Sequence, residues 1–380
     1  MRATAFLLTL GFIFATRTVM SAQHYSSDEL KRRAVERRAV EAVIWGIPAV
    51  NFDRMVQAMM GAKGDWNQVL YWSRPSTWKN QTLTPNPDAI YAMPFFDTKK
   101  VGAMVLEIPP AEGGGSIVGS IMDCWQIALE DVGPAGVDKG KGGKYLILPP
   151  GYKDKTPAGY IVLSSANYEG YALLRSSLKS NSVADIAAAA TYMKRVRLYP
   201  LSAAAHPPET VFVSVDDVLL DATIPYDQRF FEALNRVVQY EPWLERDRVM
   251  IDQLKSIGIE QGKPFSPDSA TAQQLKAAID EAHAWLVAQY ETAYPAYSFA
   301  THALIRDVRW ASRSSLTQVL QTNSDGTVDI YFGPKAPAGK ESNWVPTKSG
   351  ERFEALFRFY GPEKPVFDKS WTLPDIEKAR

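Results

Sequence analysis

Residues 82–97 read Thr82-Leu-Thr-Pro-Asn-Pro-Asp-Ala-Ile-Tyr-Ala-Met-Pro-Phe-Phe-Asp97. Pro85 and Pro87 each fix φ and remove a backbone donor, so Asn86 and Asp88 belong to neither a regular helix nor a central strand. Their short polar side chains bond the nearby backbone and stiffen a turn. Beyond it Ile90, Ala92 and Pro94 alternate with Tyr91, Met93 and Phe95, the period of a strand. A stiff turn of this kind can aim Asn86, Asp88 and Tyr91 into a cavity. It is equally an ordinary way to end one strand and begin the next.

Outward from this stretch the pattern stays β. Strands are expected at 90–96, 103–108, 116–122, 144–148 and 159–164, parted by Gly/Pro-rich turns at 109–115, 133–143 and 149–158. This spacing suits an antiparallel sandwich or barrel rather than βαβ units. Before it, residues 26–47 read as a helix. Ser26 with Glu29 forms its capping box, Gly46 and Pro48 end it, and Val50–Met60 forms a second short helix. After it, residues 182–292 read as mainly helical. Ser182 and Asp185 cap an alanine-rich helix, and a strand follows at Val211–Val215. Helices are then expected over Tyr226–Tyr240, Asp247–Ile257 and Asp268–Glu291. The tail returns to β: Asn323-Ser-Asp-Gly326 turns into a strand at Val328–Phe332, Glu354–Tyr360 alternates likewise, and Trp371 sits on an extended strap expected to pack on the body. The expected class is α+β, with a β-rich, sandwich- or barrel-like N-terminal domain, a helical middle and a C-terminal β sheet.

The N-terminus carries Arg2, an apolar run from Ala5 to Ala15 that is too short to span a bilayer, and small residues Ser21 and Ala22. Residues 1–22 are therefore expected to be a signal peptide, and the mature protein periplasmic or secreted, with no integral span. The composition is 46% hydrophobic and 22% charged, with a formal net charge of zero. Zero net charge argues against nucleic acid as an electrostatic partner.

Cys124 is the only cysteine, which excludes an intrachain disulfide and a thiolate metal cluster. It is expected to be buried as a small hydrophobe. The four histidines form neither HxH nor HExxH, so no metal site is expected. Gly113–Gly115 precedes a strand, not a helix, so it is no phosphate loop, and no cofactor is expected. There is no GxSxG for a serine nucleophile. The chemistry is instead sought in paired carboxylates. Asp88 and Asp123, one of them raised in pKa, would act with Tyr91 as catalytic groups. Asn86, Trp125 and Trp344 would bind substrate. Ten tryptophans and seventeen tyrosines, many near turns, supply walls for an amphipathic cleft, although tryptophan also fills the core of a β-sandwich.

Several segments together resemble a known group: Ile44-Trp-Gly-Ile-Pro48, Thr84-Pro-Asn-Pro-Asp-Ala-Ile-Tyr91, Asp123-Cys-Trp-Gln126, Gly142-Gly-Lys-Tyr-Leu146 and Leu148-Pro-Pro-Gly151, followed by Asp325-Gly-Thr-Val-Asp-Ile-Tyr331, Lys340-Glu-Ser-Asn-Trp344 and Arg358-Phe-Tyr360. In this order they resemble exported bacterial proteins with paired domains of unknown function, 1254 N-terminal and 1214 C-terminal. The resemblance implies a β-rich domain over 23–180, led by a helix, a helical middle over 181–297 and a jelly-roll-like C-terminal region over 298–380. It brings no agreed activity. One departure stands out: Tyr290–Tyr297 runs almost directly into Thr301-His-Ala-Leu-Ile-Arg306, as though the first part of the C-terminal sheet were deleted. Such a deletion implies open strand edges, which favour homo-oligomers or a loss of stability or activity.

From sequence, then, the expectation is an exported, non-metal hydrolase acting on a small or amphipathic substrate in an aromatic-lined cleft between two β-rich regions. The alternative is a periplasmic ligand-binding or envelope-associated module without catalysis.

Overall fold

The architecture comes from a computed structural model that describes residues 25–77, 79–82, 86, 88–113, 115–293, 319–350, 364–367, 370, 371 and 376–378. The elements in chain order are α1 (Ser27–Gly61), β1 (Val69–Tyr71), β2 (Asn80–Gln81), β3 (Ala89–Asp97), α2 (Thr98–Val101), β4 (Met104–Ile108), β5 (Ile117–Asp123), β6 (Ala128–Val132), β7 (Gly143–Leu148), β8 (Ile161–Ser164) and β9 (Glu169–Ser177). Then come α3 (Val183–Met193), β10 (Arg197–Pro200), β11 (Phe212–Ser214), β12 (Leu220–Asp221), α4 (Arg229–Tyr240), α5 (Arg248–Ser256), α6 (Ser269–Ala293), β13 (Tyr331–Gly333), β14 (Trp344–Pro346) and α7 (Lys364–Phe367).

β3 is the strand predicted from residues 82–97, and all nine of its residues are buried. It lies inside a six-stranded sheet of order β11-β1-β3-β9-β5-β6, beside β1 and β9. A four-stranded sheet, β10-β4-β7-β8, covers one face. The pairings are antiparallel except β1 with β11 and β7 with β8. These two sheets do not close into a barrel.

Alternation along β3 sorts its side chains between two cores. Ala92 and Phe96 join Met104, Leu106, Tyr145, Ala172 and Leu174 between the sheets. Tyr91, Met93 and Phe95 point the other way, into a core shared with Phe52, Phe230, Leu234, Leu254 and Ile279 of the helices. The molecule is thus β-rich at its N-terminal end and helical in its middle, with a small C-terminal sheet, β13 with β14. Helices α4, α5 and α6 all pack on α1.

The caps fall where the sequence puts them. Ser26 Oγ accepts the Glu29 N–H at 3.2 Å, and Ser182 Oγ accepts the Asp185 N–H at 3.2 Å. The two helices expected at 26–47 and 50–60 are one, however: α1 runs through Gly46 and Pro48 without a break. Proline interrupts a helix by removing one donor and crowding the preceding turn. Here the helix is held on both sides of the proline. A Cβ on Gly46 would lie 3.0 Å from Leu234, so glycine lets α4 pack close, and the carbonyl of Pro48 accepts Gln126 Nε2 at 2.9 Å.

β9, which pairs with β3 over most of its length, was missed from the sequence. Trp371, expected to pack, is 44% exposed; its backbone N–H donates to Pro365, so the short tail segment closes on itself. The signal segment, Pro85, Pro87, the suspected deletion near 301 and the strand at 354–360 all lie outside the described residues. Among the described residues no helix is long and apolar enough to cross a membrane.

Phe96 is fully buried between the sheets. Phe96→Ala should cost roughly 3–5 kcal/mol. Val183→Ala, at a residue 85% exposed, should stay within about 0.5 kcal/mol. Urea unfolding of the two variants checks the contrast.

Candidate functional site

β5 ends in a tight turn at Asp123. The Asp123 carboxylate accepts the backbone N–H groups of Trp125 and Ile127 at 2.9 Å each, and the Gln126 N–H donates to the Asp123 carbonyl at 2.9 Å. Gln126 has φ +59°, a left-handed conformation that disfavours a side chain. Its side chain holds it there. Nε2 donates to the Pro48 carbonyl and to Asn51 Oδ1, both at 2.9 Å, and Oε1 accepts the Tyr171 hydroxyl at 3.2 Å. The turn is thereby fastened to α1 and β9, and Trp125 is set against Trp45, with ring centroids 4.3 Å apart and planes tilted by 49°.

The end of α4 completes the site. Glu241 is 3% exposed, and its carboxylate accepts the N–H groups of Tyr168 and Glu169 at 2.7 and 2.9 Å, tying the helix end to the start of β9. A cleft opens here, walled by Trp45, Trp125 and Trp243, floored by apolar residues including Val237 and Leu254, and edged by Glu241 and Asp247. Its atom-free space is about 340 Å³, open solvent at the mouth included. That is room for one small group rather than a drug-sized ligand.

Carboxylates crowd behind it. Asp97, fully buried, pairs with Glu169 across β3 and β9, accepts the Tyr240 hydroxyl at 2.5 Å and lies 3.5 Å from Lys100 Nζ. Burial, and then the charge of Glu241, pushes the Glu169 carboxyl up to about 9. Burial likewise pushes Glu241 up to about 7, against the pull of its two backbone donors. Burial raises Asp123 as well, partly offset by the N–H groups of Ile127 and Trp125. Cys124 is fully buried as expected, and its thiol is pushed well up by burial and by the surrounding acids, which suits an inert side chain.

The structure brings together only part of the predicted set. Asp123 and Trp125 meet at the cleft. Asn86, Asp88 and Tyr91 form a separate lock at the other end of the sheet. There Asn86 Oδ1 accepts the Asp88 N–H at 2.9 Å, the Asn86 N–H donates to the Tyr91 hydroxyl at 3.0 Å, and the Asp88 carbonyl accepts from Leu178. On β9, Ser177 faces Ala89 while Gly170 faces Asp123. Seven residues of strand, roughly 23 Å, therefore separate the Asp88 and Asp123 ends. The paired-carboxylate arrangement is not formed, because the two turns cap opposite ends of the sheet. Trp344 donates Nε1 to the Gly333 carbonyl at 2.9 Å and holds β14 to β13, so it is not a wall of this cleft. The cleft lies between the sheet end and the helices, not between two β-rich regions. Trp45, Trp243 and Glu241 were missed as site residues. The available signal was modest: a tryptophan one turn ahead of Pro48, and Glu241-Pro-Trp243 directly after a helix. Among the described residues no group of three or more His, Cys, Asp or Glu side chains is placed to hold a metal ion.

Comparison with known proteins follows the same division of the chain. Residues 66–200 match "Protein of unknown function (DUF1254)" and residues 268–364 match "Protein of unknown function (DUF1214)". The chain carries both segments, in this order. The VPA0106 protein from Vibrio parahaemolyticus, a solved structure, is similar at TM-score 0.50 and 17% identity, over 68% of this chain and 60% of its own. An uncharacterized protein from Burkholderia cenocepacia aligns at TM-score 0.27 and 11% identity, over 69% of this chain and 60% of its own. The chain thus spans 60% of the length of each. No match was found among curated proteins.

The raised carboxyls make stability depend on pH. The folded protein keeps protons on Glu169 and Glu241 that the unfolded chain, with carboxyls near 4.5, has released. Their contribution is therefore fully present below 4.5, is lost from Glu241 as pH passes about 7, and is lost from Glu169 as pH passes about 9. The melting temperature should fall by several degrees from mildly acid to alkaline pH. Glu169→Gln should flatten the upper part of that fall. Thermal melts across the range, wild type against variant, read the difference.

Proposed function

We propose that this is an exported protein whose role is to bind a small ligand in the three-tryptophan cleft, and that Asp88 and Asp123 are not a hydrolytic pair. The observation that carries the reading is the convergence of Trp45, Trp125 and Trp243, from α1, the β5–β6 turn and the segment after α4, around one hollow. Half-buried tryptophans, of which Trp125 is fixed by a turn in a strained conformation, favour recognition, because they present apolar area that needs little ordering on binding. The hydrolytic alternative loses support from geometry. Asp123 spends its carboxylate on two backbone donors, and the Tyr91 hydroxyl is engaged by Asn86.

The test is a thermal-shift and tryptophan-fluorescence screen of the mature protein against small cationic, anionic and neutral compounds. Binding should be saturable, and Trp125→Ala should weaken it by at least about tenfold, with Tyr91→Phe unchanged. Absence of binding across all classes overturns the reading. So does a turnover that is lost in Asp88→Asn and in Asp123→Asn.

A further inference from the structure

The walls and edges of the cleft also define what it would hold, given that it is a ligand site as proposed above. Every charged residue lining it, Glu241 and Asp247, is acidic. Its three largest walls are indoles, the aromatic side chains whose faces attract cations most strongly. Trp45 and Trp125 meet at 49°, a wedge rather than a closed stack, and both rings are half-buried, so ring surface remains open toward the hollow. We propose that the cleft takes the head group of a small organic cation, a quaternary or alkylated ammonium, caged by Trp45, Trp125 and Trp243 in the negative field of Asp247 at the rim and Glu241 at the edge.

Three further features agree. The room available suits one compact head group. The protein already lays a cation against the same wall, with Lys255 Nζ 6.0 Å from the Trp243 ring centroid, at the outer limit of such contacts. The bases near the rim offset the acids only weakly. Arg246 is 52% exposed and stands 3.7 Å from Asp247, a solvent-screened pair. An anion would meet two carboxylates and indole faces, which repel it. A neutral apolar group would fill the hollow without using Glu241 or Asp247. Dehydration favours an alkylated ammonium over a bare one, since methyl groups spread the charge and lie flat on indole.

The experiment compares choline chloride with 3,3-dimethyl-1-butanol, which replaces the quaternary nitrogen by carbon at nearly the same shape. Both are titrated by tryptophan fluorescence and calorimetry at pH 8, against sodium chloride at equal ionic strength. Choline should bind saturably and the alcohol at least tenfold more weakly. Asp247→Asn and Trp243→Phe should each weaken choline severalfold. Both changes sit at the half-buried rim, and an unchanged melting temperature in each confirms the fold. Glu241→Gln is the harsher variant, because that carboxylate also holds the start of β9. Equal binding of choline and the alcohol overturns the cation assignment while leaving the ligand-site reading standing. Choline binding that survives Trp243→Phe and Asp247→Asn unchanged overturns the cage. Failure of choline where the broader screen finds a neutral or anionic ligand overturns the cation alone. Failure of every compound overturns both readings.

Discussion

The constraint on which the rest depends is that β3 is buried on both faces. A central strand in this position must be mainly apolar along its run up to the terminal Asp97, so the usual inside–outside alternation of an antiparallel sheet disappears. One face is closed by the four-stranded sheet and the other by α1, α4, α5 and α6. Asn86 and Asp88 lie just before the strand, where the Asn86 side chain accepts the Asp88 N–H and the Tyr91 hydroxyl accepts the Asn86 N–H, which lets β3 start abruptly from a polar turn. Asp97 ends it by accepting the Lys99 N–H at 2.9 Å, the cap of α2. A strand with polar locks at both ends and no polar side chain between them has its register set by those ends.

The helical layer answers to the same sheet. α1 has to cross it in one piece, and the interactions around Gly46 and Pro48 are what make a single helix possible. Asp53 adds a second fastening: buried on α1, it accepts Arg236 Nε at 2.8 Å and Nη2 at 2.6 Å from α4, a bidentate pair. Such a pair specifies the relative placement of two helices more than it stabilises them, because Asp53 gives up its water on burial while Arg236 keeps part of its own. Once α1 and α4 are set, Trp45 and Trp243 have no freedom to leave the hollow, and the Gln126 side chain fixes the remaining wall.

Much of this was legible in the sequence. The capping boxes, the strands at 90–96, 103–108, 116–122, 144–148 and 159–164, and the helices after Pro225 all follow from local periodicity and turn chemistry. β9 escaped because Glu169–Ser177, like β3, packs on both faces and shows no alternation; β3 was found only because its turn announced it. The break expected at Pro48 failed for a different reason. Proline's local penalty is real, but contacts with Leu234 and Gln126, 188 and 78 residues away in sequence, override it. Sequence reasoning likewise put Asp88 and Asp123 together because both end strands, without knowing that they end them on opposite sides of the sheet.

The cleft was harder still to read, since its residues also hold the fold together. Glu241 illustrates why. A carboxyl raised by burial costs stability at neutral pH, and the crowding of Asp97 and Glu169 behind it adds to that cost. Its two oxygens each accept one backbone N–H, a pairing that a glutamine, with a single acceptor oxygen, does not reproduce, so the carboxylate already has a structural reason at this position. It also places negative charge at the edge of a space walled by three indoles. Local departures from the most stable choice are where function is expected to sit. By that criterion the Glu241 end of the sheet, rather than the lock at Asn86, Asp88 and Tyr91, is the end that supports the proposed ligand site.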